Sequence, residues 1–158
     1  MSSSRKAVKI LRKRMWDNIS EDISWQLISP IEVAFFNTFI DLQGFAKQKG
    51  FPWCISKGQD YFCPVSDLFE GVDPYSLELE LLVNGKTRQK DLTVEMHFKI
   101  NNLVSYVSNF MTINEGDLLL TGTPMGVGPV EQGDRVEAFV KFNDKTLASL
   151  DFTVEKDI

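Results

Sequence analysis

A chain of 158 residues, 43% apolar and 25% charged, suits one globular domain with its own hydrophobic core. Residues 1–16 hold six of the 17 bases and none of the 22 acids, so the remainder carries −11 against −5 for the whole chain, which argues against a general nucleic-acid binder. No apolar run approaches the length of a membrane span, and two cysteines nine positions apart with no histidine between them do not suit a zinc site.

Met1–Trp16 is Ser-rich and Arg/Lys-rich, with Val8, Leu11 and Met15 on one helical face. That composition is the one mitochondrial transit peptides share, and it equally suits a basic docking helix or a solvated terminal helix. In the next stretch Ser20 is a candidate N-cap, with Glu21 and Asp22 in the first turn and Pro30 as the stop. Ile31–Phe36 is β-branched and aromatic and predicts a strand, and Asp41–Lys49 predicts a short helix ended by Gly50. Phe51–Ser66 has no period, two prolines and a lone cation, Lys57, before Asp60. It reads either as a binding loop or as a cover for a sheet edge.

Leu77–Val83, Asn84-Gly85 and Lys86–Gln89 together predict a hairpin, with Leu77, Leu79 and Leu81 facing inward and Glu78 and Glu80 facing water. Asn101 or Asn102 caps a helix through Met111 that presents Leu103, Tyr106, Val107 and Phe110 as a core stripe. Leu118–Leu120 is expected as a short buried strand. Thr121-Gly122-Thr123-Pro124 follows, with Gly126 and Gly128 beyond, a run whose hydroxyls and accessible amides suit a carboxylate or another small anion. Arg135–Phe142, a turn at Asn143-Asp144 and Leu147–Val154 complete the pattern. The elements make an α+β fold: a mainly antiparallel or mixed β-roll with two or three short helices over residues 17–158, preceded by the basic segment 1–16.

Several of these pieces stand in a telling order. D-L-Q (41–43), K-G-F-P-W (49–53), Lys57, C-P-V-S (63–66), V-N-G-K-T-R-Q (83–89), E-G-D-L-L-L-T-G-T-P-M-G-V-G-P-V (115–130) and Q-G-D-R-V-E (132–137) resemble the C-terminal domain of the fumarylacetoacetate hydrolase family. Within it they are most similar to the acylpyruvate hydrolase and oxaloacetate decarboxylase subgroup. The resemblance implies a β-roll and cleavage or decarboxylation beside a carbonyl. It also implies Mg²⁺ or Mn²⁺ held by three carboxylates, two of them from an H-E-x-E segment. By the same resemblance Gln43 matches an oxyanion glutamine, Lys57 an active-site lysine, and Thr121, Gly122 and Thr123 a ligand-binding loop.

The match has gaps. Phe36 stands at the position of the metal aspartate, Ile40 replaces the arginine beside Asp41, and neither H-E-x-E nor the lid histidine occurs in this sequence; His97, the one histidine, falls elsewhere in the pattern. Loss of these ligands implies no metal and no cofactor. With Gln43 and Lys57 as remnants, the expectation is then a catalytically inactive structural subunit of a larger mitochondrial assembly, such as a respiratory or ATP-synthase complex. Its expected partners are other protein subunits, through a homodimer or a heterodimer with a related chain, with no nucleic acid. The alternatives are an active metal-dependent acylpyruvate hydrolase or oxaloacetate decarboxylase, and a small-anion binding module without catalysis.

Overall fold

Two hairpins frame the domain, and both turn where their local chemistry says they must. In the computed structural model, which describes residues 31–32, 34–35, 38–114 and 116–155, β1 (Glu78–Val83) and β2 (Lys86–Leu92) are joined at Asn84-Gly85. Strands β3 (Arg135–Phe142) and β4 (Lys145–Thr153) are joined at Asn143-Asp144. All four turn residues have positive φ, between 49° and 72°, the geometry that a two-residue turn matched to strand twist requires. The sheet runs β2-β1-β3-β4 with every pair antiparallel. Asn84 locks the first turn to the second hairpin: its amide donates to Asp134 Oδ1 at 2.7 Å, and its carbonyl oxygen accepts from the Arg135 N–H at 3.0 Å.

Register assigns the two faces. Leu79, Leu81 and Val83 lie opposite Val140, Ala138 and Val136, which lie opposite Ala148, Leu150 and Phe152. This is the apolar face, and Leu77, Val136 and Val140 are among the most deeply buried side chains. Phe35 packs edge-on against Phe152 at 5.5 Å, which ties the first described segment to β4. The opposite face is a ladder of charge. Glu78 pairs with Lys90 at 3.0 Å, Glu80 pairs with Lys141, and Arg135 forks onto Asp151 at 3.0 and 2.7 Å. The two glutamates expected to face water are therefore cross-strand partners.

Three helices are described: α1 (Ile40–Lys49), α2 (Cys54–Lys57) and α3 (Ile100–Ser108). The first matches its expected span. In α3 the cap is Lys99 rather than an asparagine, and the Ile100 N–H donates to the Tyr75 hydroxyl at 2.7 Å. Its expected stripe is corrected: Val104 and Ser108 are buried, whereas Tyr106 and Phe110 are 64% and 70% exposed. Of the strand expected at Ile31–Phe36, the described residues form two single bridges, Ile31 to Phe69 and Ala34 to Val65. The strand expected at Leu118–Leu120 is irregular chain and joins no ladder of the sheet. The basic segment 1–16 and the helix expected before Pro30 lie outside the described residues.

That irregular chain is held to the sheet by contact with β2. Between Leu81 and Leu82 the β1–β2 register slips, Leu81 facing Gln89 and Leu82 facing Thr87, which leaves Arg88 as the extra residue of a β-bulge. Gly126, with φ +104°, lies directly on the bulge. A methyl group there would run into the Arg88 carbonyl oxygen and come within 3.2 Å of Gln89 Cγ. Gly122 also has positive φ but faces open space. Gly126→Ala is therefore expected to cost roughly 2–4 kcal/mol and Gly122→Ala only about 1 kcal/mol; urea denaturation of the two variants measures the difference.

Candidate functional site

A cavity of about 730 Å³ opens between the apolar face of the sheet and the loop that follows Leu120. Leu79, Leu81 and Ala138 form its floor. One wall comes from α1 and α2, which contribute Gln43 and Lys57, and the roof is the chain from Gly122 to Val130. Volume and lining suit a small ligand that needs an apolar seat and a few polar contacts.

Each polar group is positioned from the backbone upward. Lys57 closes α2, a single turn stabilised by the Ser56 hydroxyl donating to the Trp53 carbonyl at 2.7 Å. Its Nζ donates to Thr38 Oγ1 at 3.0 Å, which steadies the ammonium in the wall. Gln43 lies in the first turns of α1, half-buried. Gln89 is the clasp of the roof: its Nε2 donates to Thr123 Oγ1 at 2.9 Å and to the Pro124 carbonyl at 2.7 Å. Arg88 Nη1 donates to the Pro129 carbonyl at 3.3 Å.

Of the residues expected from sequence, the fold brings Gln43, Lys57, Gly122 and Thr123 to one cavity. Thr121 is exposed and does not line it, nor does Asp41. Phe36 lies outside the described residues. His97 is exposed, stacks edge-on against Phe98 at 4.6 Å, and is not part of the wall. Arg88 and Gln89 were missed as site residues. Strict alternation sends neighbours to opposite faces, and only the bulge turns both toward the roof. The signal available was the R-Q pair next to the N-G turn.

The donor set does not suit a divalent cation. Among the described residues no three His, Cys, Asp or Glu side chains converge. Hard cations of this kind need several oxygen ligands, chiefly carboxylates. The one acidic residue among the lining, Glu80, turns its carboxylate to the charged face of the sheet, where it accepts from Lys141 and, at 3.1 Å, from Thr87; the Lys141 bond is the main reason its carboxyl sits below its ordinary range. Glu32 is not in the wall. Both its oxygens are shielded from solvent without a hydrogen-bond partner among the described residues, and burial pushes its pKa up to about 7. The neighbouring Cys63 thiol is also raised, by burial first and by the Glu32 charge second.

These facts fix the sign of a pH effect. An unfolded Glu32 ionises near 4.5, whereas the folded one holds its proton up to about 7. Stability therefore falls as pH rises through that window, and the loss persists above it. Glu32→Gln should raise Tm at pH 8 by roughly 3 °C or more and leave it unchanged at pH 4; thermal melts at the two values decide it.

Comparison with known proteins gives the site its context. The model of the fumarylacetoacetate hydrolase C-terminal domain matches residues 32–155. An Arabidopsis thaliana protein named oxaloacetate tautomerase FAHD1, mitochondrial, is 43% identical over 144 residues, which is 89% of this chain and 63% of that protein. Among solved structures, a yeast fumarylacetoacetate hydrolase family protein superposes with TM-score 0.85 at 29% identity, over 93% of this chain and 64% of that one. A fumarylpyruvate hydrolase from Pseudomonas aeruginosa, in complex with Mn²⁺ and pyruvate, superposes with TM-score 0.79 at 30% identity, over 84% and 57%. The chain thus spans less than two thirds of the length of these relatives.

Relatives named as a tautomerase and a hydrolase overturn the expectation of a catalytically inactive structural subunit, and the respiratory or ATP-synthase host falls with it. The physical reason is that missing carboxylates speak to one cofactor only. The cavity, its lysine, its glutamine and its threonine loop are separate features, and the fold keeps them together.

Proposed function

We propose that this chain, which belongs to the fumarylacetoacetate hydrolase family and carries its C-terminal domain, is a catalytic member acting on a small 2-oxo acid. Keto–enol interconversion of oxaloacetate is the reaction we favour. The observation that carries the reading is the meeting of Lys57, Gln43 and the Gly122-Thr123 roof in one cavity of substrate size. The relatives named for oxaloacetate and fumarylpyruvate chemistry support the substrate class.

Tautomerisation asks little beyond this. A proton leaves C3 of the 2-oxo acid to solvent, charge gathers on the carbonyl oxygen, and a proton returned there gives the enol; no carbon–carbon bond breaks. The Lys57 ammonium beside that oxygen lowers the energy of the enolate, which is where fixed charge acts most strongly in a partly desolvated site. Gln43 and Thr123 offer donors that orient the carboxylates, and the apolar floor seats the carbon skeleton with C3 open to the solvent that takes its proton. Hydrolytic cleavage would in addition require an activated water, and the carboxyl raised toward neutrality, Glu32, is not in the cavity wall. That favours tautomerisation over hydrolysis.

We place the protein in mitochondria, a reading supported by the acid-free basic segment Met1–Trp16 and by relatives named mitochondrial. Exposed Phe45, Tyr106 and Phe110 support pairing with a second copy or a related chain.

Purified protein should speed the decay of enol-oxaloacetate absorbance well above the buffer rate. Lys57→Met is expected to lower kcat/KM by about 100-fold and Gln43→Ala by about 10-fold. A wild-type rate no faster than buffer refutes the assignment. A fluorescent fusion of the full chain should co-localise with mitochondria and lose that pattern when residues 1–16 are deleted.

A further inference from the structure

The charge of the cavity is opposite to what a divalent cation requires. Its lining residues include two cations, Lys57 and Arg88, and one acid, Glu80, whose carboxylate lies on the charged face of the sheet. That carboxylate, Glu80, is engaged by Lys141 and Thr87, so its charge is answered within the sheet. The relative from Pseudomonas aeruginosa holds Mn²⁺ together with pyruvate. Here the described residues offer no converging set of three acids, histidines or cysteines.

A 2-oxo acid is an anion, and a metal in such a site serves to neutralise it and to polarise its carbonyl. An ammonium and a guanidinium perform the first task directly, and the guanidinium fork matches a carboxylate in shape. The two side chains are fixed for it. Lys57 is held at Thr38, and Arg88 projects from the bulge with Nη1 bonded to Pro129 in the roof. A dication entering the same space would face both positive groups and, among the described lining residues, only a carboxylate already committed elsewhere.

We infer that this cavity binds its 2-oxo acid directly through Lys57 and Arg88, with no divalent cation between ligand and protein. The inference rests on the proposed substrate class and deepens it: the ligand's charge is met by the chain's own cations.

The test is calorimetric titration of the full chain with oxalate, a stable analogue of a 2-oxo acid enolate, first in EDTA and then with Mn²⁺ equimolar to the protein. The expected result is the same affinity in both arms within about twofold, with Lys57→Met weakening it by roughly tenfold or more in each. Binding seen only with Mn²⁺ overturns the inference and leaves the proposed function standing. Absence of binding in either arm, from protein whose circular dichroism and melting curve are those of a folded chain, overturns the inference as well. If the enol assay is then also silent, the proposed function falls with it.

Discussion

The clasp between Gln89 and the Thr-Gly-Thr-Pro loop is the contact on which the cavity depends. From Leu118 to Asp134 the chain forms no ladder, so its place is set by side chains and by close approach. One amide group answers two acceptors, Thr123 Oγ1 and the Pro124 carbonyl, at 2.9 and 2.7 Å. Beside it, Gly126 lets the loop backbone lie on the Arg88 carbonyl. The motif's glycines and the R-Q pair of the hairpin are therefore two halves of one contact. Remove either and the roof has no fixed height above the floor of Leu79, Leu81 and Ala138.

Charge is sorted by the same sheet. One face carries the paired ladder of Glu78 with Lys90, Glu80 with Lys141 and Arg135 with Asp151, pairs worth little singly in water but able to hold register across all four strands. The other face is apolar, and among the described residues the cations that line the cavity come from the rim: Lys57 from α2 and Arg88 from the bulge. An acidic body of net charge −11 beyond residue 16 thus holds a cavity biased toward anions. Whole-chain charge gave no hint of that, because the acids are spent on the outer face and on turns such as the one at Asp134.

The family's solved relative with Mn²⁺ and pyruvate frames the question this chain poses. Among the described residues no converging set of three acids, histidines or cysteines is present, which invites the reading that catalysis is lost, and the named relatives argue otherwise. Proton transfer beside a carbonyl has a modest requirement: charge stabilisation at one oxygen and a seat that orients two carboxylates. On the proposed reading, lysine, glutamine and threonine supply that chemistry, where carbon–carbon cleavage would ask for more.

Local rules made both hairpins legible before any coordinates. Alternation and the Asn-Gly and Asn-Asp pairs act over a few residues, so they name their own turns; α1 and its end at Gly50 follow for the same reason. The order of motifs likewise identified the family, and Gln43, Lys57, Gly122 and Thr123 as companions. Tertiary structure alone decided three things. Leu118–Leu120 has strand composition yet stays irregular, because a strand needs a paired ladder, and pairing is not written in one segment's composition. The stripe of α3 rotated to Val104 and Ser108, since periodicity selects a helix but not which side meets the core. Arg88 and Gln89 share the cavity because one extra residue in β2 breaks alternation, and a bulge is a property of two paired strands rather than of either one.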